Sequence, residues 1–255
     1  MSIYVTGDCH GDWQRFSTRF FPQQKEMTRN DYMIVCGDFG LWHDTAEERY
    51  WLDWLEEKNF ILCFVDGNHE NFDRLYSDEF AEVDFCGGKA HKIRENIYHL
   101  ERGYVYTICD KKIFAFGGAS SHDIDDGILD RNDYKTKSEF NRVYRQYQSE
   151  RKMFRVNHVS WWKEELPSNE EMARGIENLE KVGWDVDFVI THCSPQTIAS
   201  IISNGFFKSD SLTLYFNGLL DKKLKFKHWF FGHYHGEKSV MGKFHLLYYS
   251  MKQIA

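Results

Sequence analysis

Three apolar, β-prone runs open the chain: SIYVTGD, YMIVCGD and FILCFVDGNHE. Each is apolar almost throughout, the pattern of a strand covered on both faces. The stretches that follow the first two, DWQRFSTRFF and TAEERYWLDWLEEK, read as helices. In the second of these, Tyr50, Leu52, Trp54 and Leu55 mix core and surface positions, while Glu47, Glu48 and Arg49 are expected to stay in water. Strands alternating with helices predict βαβ units and a parallel sheet. All three runs end in a glycine followed by a polar side chain: Gly7-Asp8, Gly37-Asp38 and Gly67-Asn68. Thirty positions separate Asp8 from Asp38, and thirty more separate Asp38 from Asn68. That interval is about one βαβ unit. It places the three polar residues at the carboxyl edges of parallel strands, where open α/β sheets bind their ligands.

After residue 85 the pattern changes. NIYHL, GYVYTI and KIFAFGG are short β-prone stretches, the last two joined by CDKK as a hairpin turn. From about residue 136 to 182 the spacing turns helical, with Phe140, Val143, Tyr144, Tyr147 and Phe154 recurring at helical intervals. Ser168 with Glu171 is a capping-box signature for a helix whose buried face is Met172, Ile176 and Leu179. Strands then return in DFVITHCSP, KHWFFGHYHG and FHLLYYS. Only three prolines occur in 255 residues, and no Gly/Ser/Pro-rich linker divides them. The expectation is an α/β chain with a single domain over 1–255 and a mostly helical, cap-like segment at about 120–185.

Composition narrows the classes of function. Hydrophobic residues make up 42% and aromatics 17%, which suits a packed core and excludes a disordered chain. A formal charge of −7 disfavours a general electrostatic grip on nucleic acid while leaving room for a local basic patch. One such patch is KTKSEFNRVYRQYQSERKMFR, with seven basic and two acidic residues. A solvated helix face is its plainer reading; a surface that attracts an anionic substrate is the other. No apolar run approaches the ~18 residues of a spanning helix. With the first motif beginning at Gly7, no signal peptide and no membrane partner are expected. The six cysteines contain no Cys-x-x-Cys pair, as expected of reduced thiols in a cytoplasmic protein.

The polar residues at strand ends form a constellation: Asp8, His10, Asp38, Asn68, His69, His192, His233 and His235. Singly, each has a plain reading as a turn carboxylate, a cap or a satisfied histidine. Together, imidazole, carboxylate and amide without thiolate suit Mn, Fe or Zn. Eight such groups are too many for one ion and about right for two, which sit ~3.5–4 Å apart in dinuclear sites. In order, GDCHG (7–11), GD (37–38), GNHE (67–70), the His192 of ITHCSP and GHYH (232–235) resemble the five signature blocks of the calcineurin-like metallophosphoesterases.

That resemblance implies a four-layer α/β/β/α sandwich of the metallo-dependent phosphatase type. Between the sheets' carboxyl edges it implies two divalent metal ions, manganese first, with iron or zinc as alternatives. Asp8, His10 and His235 would bind the first metal; Asn68, His192 and His233 would bind the second, with Asp38 bridging. His69 would stay unligated, as the catalytic acid beside the leaving oxygen or as a group that stabilises charge on the phosphoryl group, with a metal-bound hydroxide attacking in line. His122, in a GGASSHD loop of a kind that borders the active site in part of the superfamily, and Tyr234 are weaker candidates for substrate contact. His43, His91, His99, His158, His228 and His245 read as surface or core residues.

The second block, GDFGLWHD, departs from the phosphoprotein phosphatases, which carry GDxVDRG. In that branch the second aspartate orients the catalytic histidine and the arginine grips phosphate. Here those positions are Leu41 and Trp42, with Asp44 as a possible substitute for the aspartate. The chain looks more like the bacterial and phage phosphoesterases. A metal-dependent hydrolase of small nucleotides or phosphodiesters is the leading expectation. A phosphomonoesterase acting on phosphoproteins or sugar phosphates is the alternative, and a non-catalytic scaffold is a third reading that the full set of ligand types argues against.

Overall fold

The computed structural model describes residues 1–255. The three opening runs become β1 (Ile3–Thr6), β2 (Tyr32–Val35) and β3 (Ile61–Phe64). They pair in parallel, Val5 beside Ile34 and Ile34 beside Cys63. After β2 comes α1 (Ala46–Glu56), opened by Thr45, whose side chain accepts the backbone N–H of Glu48. After β3 come α2 (Phe72–Leu75), β4 (Ala81–Phe85), β5 (Gly88–Arg94) and β6 (Ile97–Leu100). β7 (Tyr104–Ile108) and β8 (Lys111–Phe116) form the expected hairpin. Its turn residues Cys109 and Asp110 both have positive φ, 50° and 59°, as a type I′ turn requires.

The next stretch holds β9 (Ile128–Leu129), α3 (Lys137–Ser149), β10 (Arg155–Val156) and α4 (Asn169–Lys181), with β9 and β10 paired only to each other. The chain ends through β11 (Phe188–Thr191), α5 (Gln196–Ser203), α6 (Ser211–Asp221), β12 (His228–Phe231), β13 (Lys238–Val240), β14 (Phe244–Leu246) and β15 (Lys252–Gln253). Two large sheets result, with strand orders β15-β1-β2-β3-β6-β5-β4 and β13-β14-β12-β11-β8-β7.

Side chains alternate across each sheet with period two, and the alternation builds the layers. Ile3, Val5, Ile34 and Cys63 from the first sheet meet Ile113, Ala115, Phe188 and Ile190 from the second in one buried cluster. Met33, Val35, Leu62 and Phe64 point the other way, into a cluster with Leu52 and Leu55 of α1. On the far side, Phe114, Phe116, Val189 and Trp229 pack with Leu179 of α4, Ile198 of α5 and Phe216 of α6. The stack is α/β/β/α, as expected. Each such apolar side chain, fully buried, contributes about 1.5–3 kcal/mol before the cost of ordering it.

Several local expectations need correction. DWQRFSTRFF forms no α-helix; a 3-10 turn over Trp13–Phe16 takes its place, and a second, Pro22–Glu26, follows it. Pro22 disfavours helical geometry at the residue before it, and Phe21 sits at φ −129°, ψ 71°. Glu48 is buried rather than wet, because its carboxylate accepts the backbone N–H groups of Trp42 and His43 and pairs with Arg74. The β4–β5 hairpin was not expected; it turns on Cys86 and Gly87, both at positive φ. In the helical stretch the Ser168 capping box is present, with Leu179 buried and Met172 and Ile176 packed beside it. α3 buries no residue, so its aromatic positions face one another and solvent rather than a core.

Candidate metal centre

The chain leaves β1, β2, β3, β11 and β12 through loops at one end of the sandwich, and these loops carry the chemistry. His10, Asp38, His233 and His235 all adopt left-handed backbone, φ 48°, 46°, 67° and 45°. Such geometry costs on the order of 1–3 kcal/mol for a residue with a Cβ and persists where surrounding contacts over-determine it. His233 and His235 therefore do not share one side of a strand, as a His-x-His pattern implies; both lie in the loop beyond Phe231. Two glycines make the close approach possible. A Cβ at Gly37 would enter the His192 ring, and one at Gly67 would enter the Asp38 carboxylate.

Asp8 accepts the backbone N–H of His233 through both oxygens, at 2.9 and 3.0 Å. Its Oδ2 also lies 3.3 Å from His235 Nε2 and 3.8 Å from His10 Nε2. The two imidazoles aim their Nε2 atoms at each other across 2.9 Å. Asp38 accepts the backbone N–H of His69 at Oδ1, 2.7 Å away. Its Oδ2 sits 3.6 Å from His10 Nε2 and 3.3 Å from His192 Nε2.

His192 donates from Nδ1 to the Cys36 carbonyl at 2.7 Å, which turns its Nε2 toward Asp38 and toward Asn68 Oδ1, 3.2 Å away. A relay sets the Asn68 amide. Its Nδ2 donates to Ser121 Oγ at 3.3 Å, and that hydroxyl donates to Glu165 at 2.7 Å. With its proton spent on Glu165, Ser121 can only accept, so the Asn68 oxygen faces His192. His233 is engaged through its ring face, 4.9 Å from the His192 centroid and 4.4 Å from that of His122.

The electrostatics follow from burial and these contacts. Burial opposes a charge on His192, but Asp38 and Asp8 outweigh it and raise that imidazole to about 10. Burial opposes ionisation of Asp38 too, yet His192 holds its carboxyl below the usual range. Burial lowers His10 and His233, and pushes His69 down to about 4. Asp38 Oδ2 is enclosed and has no hydrogen-bond partner. A buried carboxylate oxygen without a hydrogen bond is costly; set between the His10 and His192 nitrogens, and holding positive charge on the second in the absence of any other cation, it is where a metal ion fits. The donor atoms of Asp8/His10/His235, of His10/Asp38/His69 and of Asp8/Asp38/His192 each lie within 4.8 Å of one another. Nitrogen and oxygen donors without thiolate match a borderline divalent ion.

The family model for calcineurin-like phosphoesterases matches residues 1–237. The chain belongs to the calcineurin-like phosphoesterases. This family is dinuclear and metal-dependent, and the clustered Asp and His donors suit it. A lariat debranching enzyme from Xenopus laevis is 27% identical over 154 residues, covering 52% of this chain and 27% of that protein. The chain thus spans about a quarter of the length of that relative. A phosphopantetheinyl hydrolase from Mycobacterium tuberculosis aligns over 97% of this chain and 89% of its own, with 16% identity and a TM-score of 0.42. No helix is long and apolar enough to cross a membrane.

Around the cluster, this phosphoesterase uses residues that its signature blocks do not announce. Asp44 pairs with Arg49 at 2.7 Å and Arg74 at 3.6 Å, so it does not orient His69. Arg155 faces the His69 ring instead, Nη2 lying 3.1 Å from Nε2. Trp42, at the position of the missing arginine, donates from its indole to the His69 carbonyl. Glu70 accepts the backbone N–H groups of Phe39, Gly40 and Leu41, fixing the loop after Asp38. Asp66 bonds Arg102 and His99 in the interior; burial opposes its charge, and Arg102 outweighs that and keeps it ionised.

Of the weaker candidates, His122 lies at the exposed rim, stacked on Phe207, which stacks in turn on Tyr234. Ser121, Glu165 and Arg155 were not picked out from the sequence. Ser121 lies in the GGASSHD loop beside the residue that was, and Arg155 is the last residue of the basic run. Glu165 has no local signal at all.

Proposed function

We propose that this calcineurin-like phosphoesterase hydrolyses a phosphodiester or small nucleotide at two divalent cations, manganese first, held by Asp8, His10, Asp38, Asn68, His192, His233 and His235. The observation that carries the reading is Asp38 Oδ2, buried without a hydrogen bond between the His10 and His192 nitrogens. When bound, two such ions offset charge on the phosphoryl oxygens and lower the pKa of water. The chain's own groups do the positioning. Asp38 spans both halves of the cluster. Ser121 and Glu165 hold the Asn68 oxygen inward, and the Cys36 carbonyl fixes the His192 tautomer. His69 stays outside the ligand set with its backbone tied to Asp38; a phosphoryl anion beside it would oppose the downward push of burial, and the ring so charged would deliver a proton to the leaving oxygen.

The substrate class is read from two features. His122, Phe207 and Tyr234 form a near-parallel aromatic ledge beside His233, with ring planes 14° and 18° apart along the stack. Such a ledge suits a flat group such as a nucleobase. Leu41 and Trp42 stand where the phosphoprotein phosphatases carry their aspartate and arginine. Manganese-loaded protein should hydrolyse bis-p-nitrophenyl phosphate in preference to p-nitrophenyl phosphate. A strong preference for the monoester would instead assign phosphoproteins or sugar phosphates, and loss of both activities with metal bound would favour a scaffold.

A further inference from the structure

Arg155 enters the site from β10, outside every signature block, and its anchoring is asymmetric. Nε donates to Asp123 at 2.6 Å and Nη1 to the Ser160 carbonyl at 2.9 Å. A guanidinium has five N–H groups, so three remain, one on Nη1 and two on Nη2. Both Nη atoms face His69, at 3.3 Å from Nδ1 and 3.1 Å from Nε2. A neutral imidazole accepts at only one nitrogen. At least two N–H groups beside His69 therefore lack an acceptor, on a side chain that is only 11% exposed. Beside Arg155 and His69 lies a cavity of about 110 Å³ lined also by Trp42, His43, Val159 and Trp162, and by none of the seven proposed ligands.

We infer that Arg155 grips a phosphoryl oxygen of the substrate beside His69, supplying from β10 the phosphate contact that Trp42 cannot make. A planar fork with spare donors matches an oxyanion better than any other ligand class. Asp123 and Ser160 hold the fork in place, and Asp123 leaves the Nη donors uncovered. The inference rests on the phosphoester reading of the cluster.

Its test is calorimetric titration of manganese-loaded protein with inorganic phosphate, with metal content measured alongside. R155A should keep the wild-type metal content and bind phosphate about ten- to a hundredfold more weakly, the range of a charge-assisted hydrogen bond. R155K, which keeps the charge and gives up the fork, should fall between. If R155A does not fold, R155K carries the test by the same measurement. Wild-type phosphate affinity in R155A, or in R155K where it alone folds, overturns the inference, even if turnover drops through a misplaced His69. Wild-type protein that neither holds metal nor binds phosphate overturns the phosphoester reading along with it.

Discussion

Asp38 does two different things with its two oxygens. Oδ1 takes the His69 backbone N–H, and Oδ2 stands unpaired between His10 and His192. The first ties His69 to the cluster; the second is the oxygen on which the proposed cation site rests. Because the His69 hydrogen bond to Asp38 comes from its backbone and its ring is outside the proposed ligand set, H69A should leave metal content intact and lower turnover about 10²–10⁴-fold, the range of a positioned acid–base group. Unchanged kcat would make the ring structural. Glu165 gives a second residue-scale prediction. Burial raises its carboxyl to about 7, against opposing hydrogen bonds from Ser121. A raised carboxyl stabilises the fold below its unfolded value of ~4.3 and loses that contribution as pH climbs through the folded value. In chelator-treated protein, urea titrations should show wild type losing stability relative to E165Q between about pH 5 and pH 8. A constant difference would contradict the assignment. Six of the seven proposed ligands were legible because each sits beside a glycine; His192 was legible as the histidine that closes an apolar strand run in the order of the signature blocks. Glu165 and Arg155 were not, because their roles depend on contacts more than forty residues away in sequence, with Ser121 and His69.

At the scale of elements, the decisive structures are the strand-end turns rather than the strands. β1, β2 and β3 were readable from continuous apolar runs, and their parallel register follows from them. The left-handed residues just beyond were readable only where glycine marks them; His10, Asp38, His233 and His235 reach the same region without it. Pro22 and the exposed α3 mark the opposite failure, where apolar spacing looked helical or buried but backbone restriction or missing neighbours decided otherwise. The turns also make an element-scale prediction. Gly37 has φ +96° and leaves no room for a Cβ against His192. G37A should therefore weaken metal binding by about 10–100-fold, the usual cost of disturbing a group that orients a ligand, while circular dichroism stays close to wild type. Metal affinity equal to wild type would show that the turn is not needed to seat His192.

For the molecule as a whole, the site depends on two sheets packed face to face with the carboxyl ends of β1, β2, β3, β11 and β12 at the same end. Asp8, His10, Asp38 and Asn68 come from the first sheet's loops, and His192, His233 and His235 from the second's. The inter-sheet cluster of Ile34, Cys63, Phe188 and Ile190 sets their separation, and the buried Asp66–Arg102 pair ties the Gly67-Asn68 turn to the segment after β6. The four layers were legible through the family that the signature blocks resemble, and the buried face of α4 through its spacing; the part of the 120–185 stretch before α4 was not, because α3 buries no residue and Ser121 and Arg155 reach the cluster as single side chains. The measurement that tests the central claim most directly is metal content per chain by mass spectrometry for wild type and D38N, purified without chelator and then supplied with manganese. Wild type should hold about two ions and D38N at least one fewer, because the buried oxygen between His10 and His192 no longer carries charge. Two tightly held ions in D38N, or none in wild type, would contradict that claim.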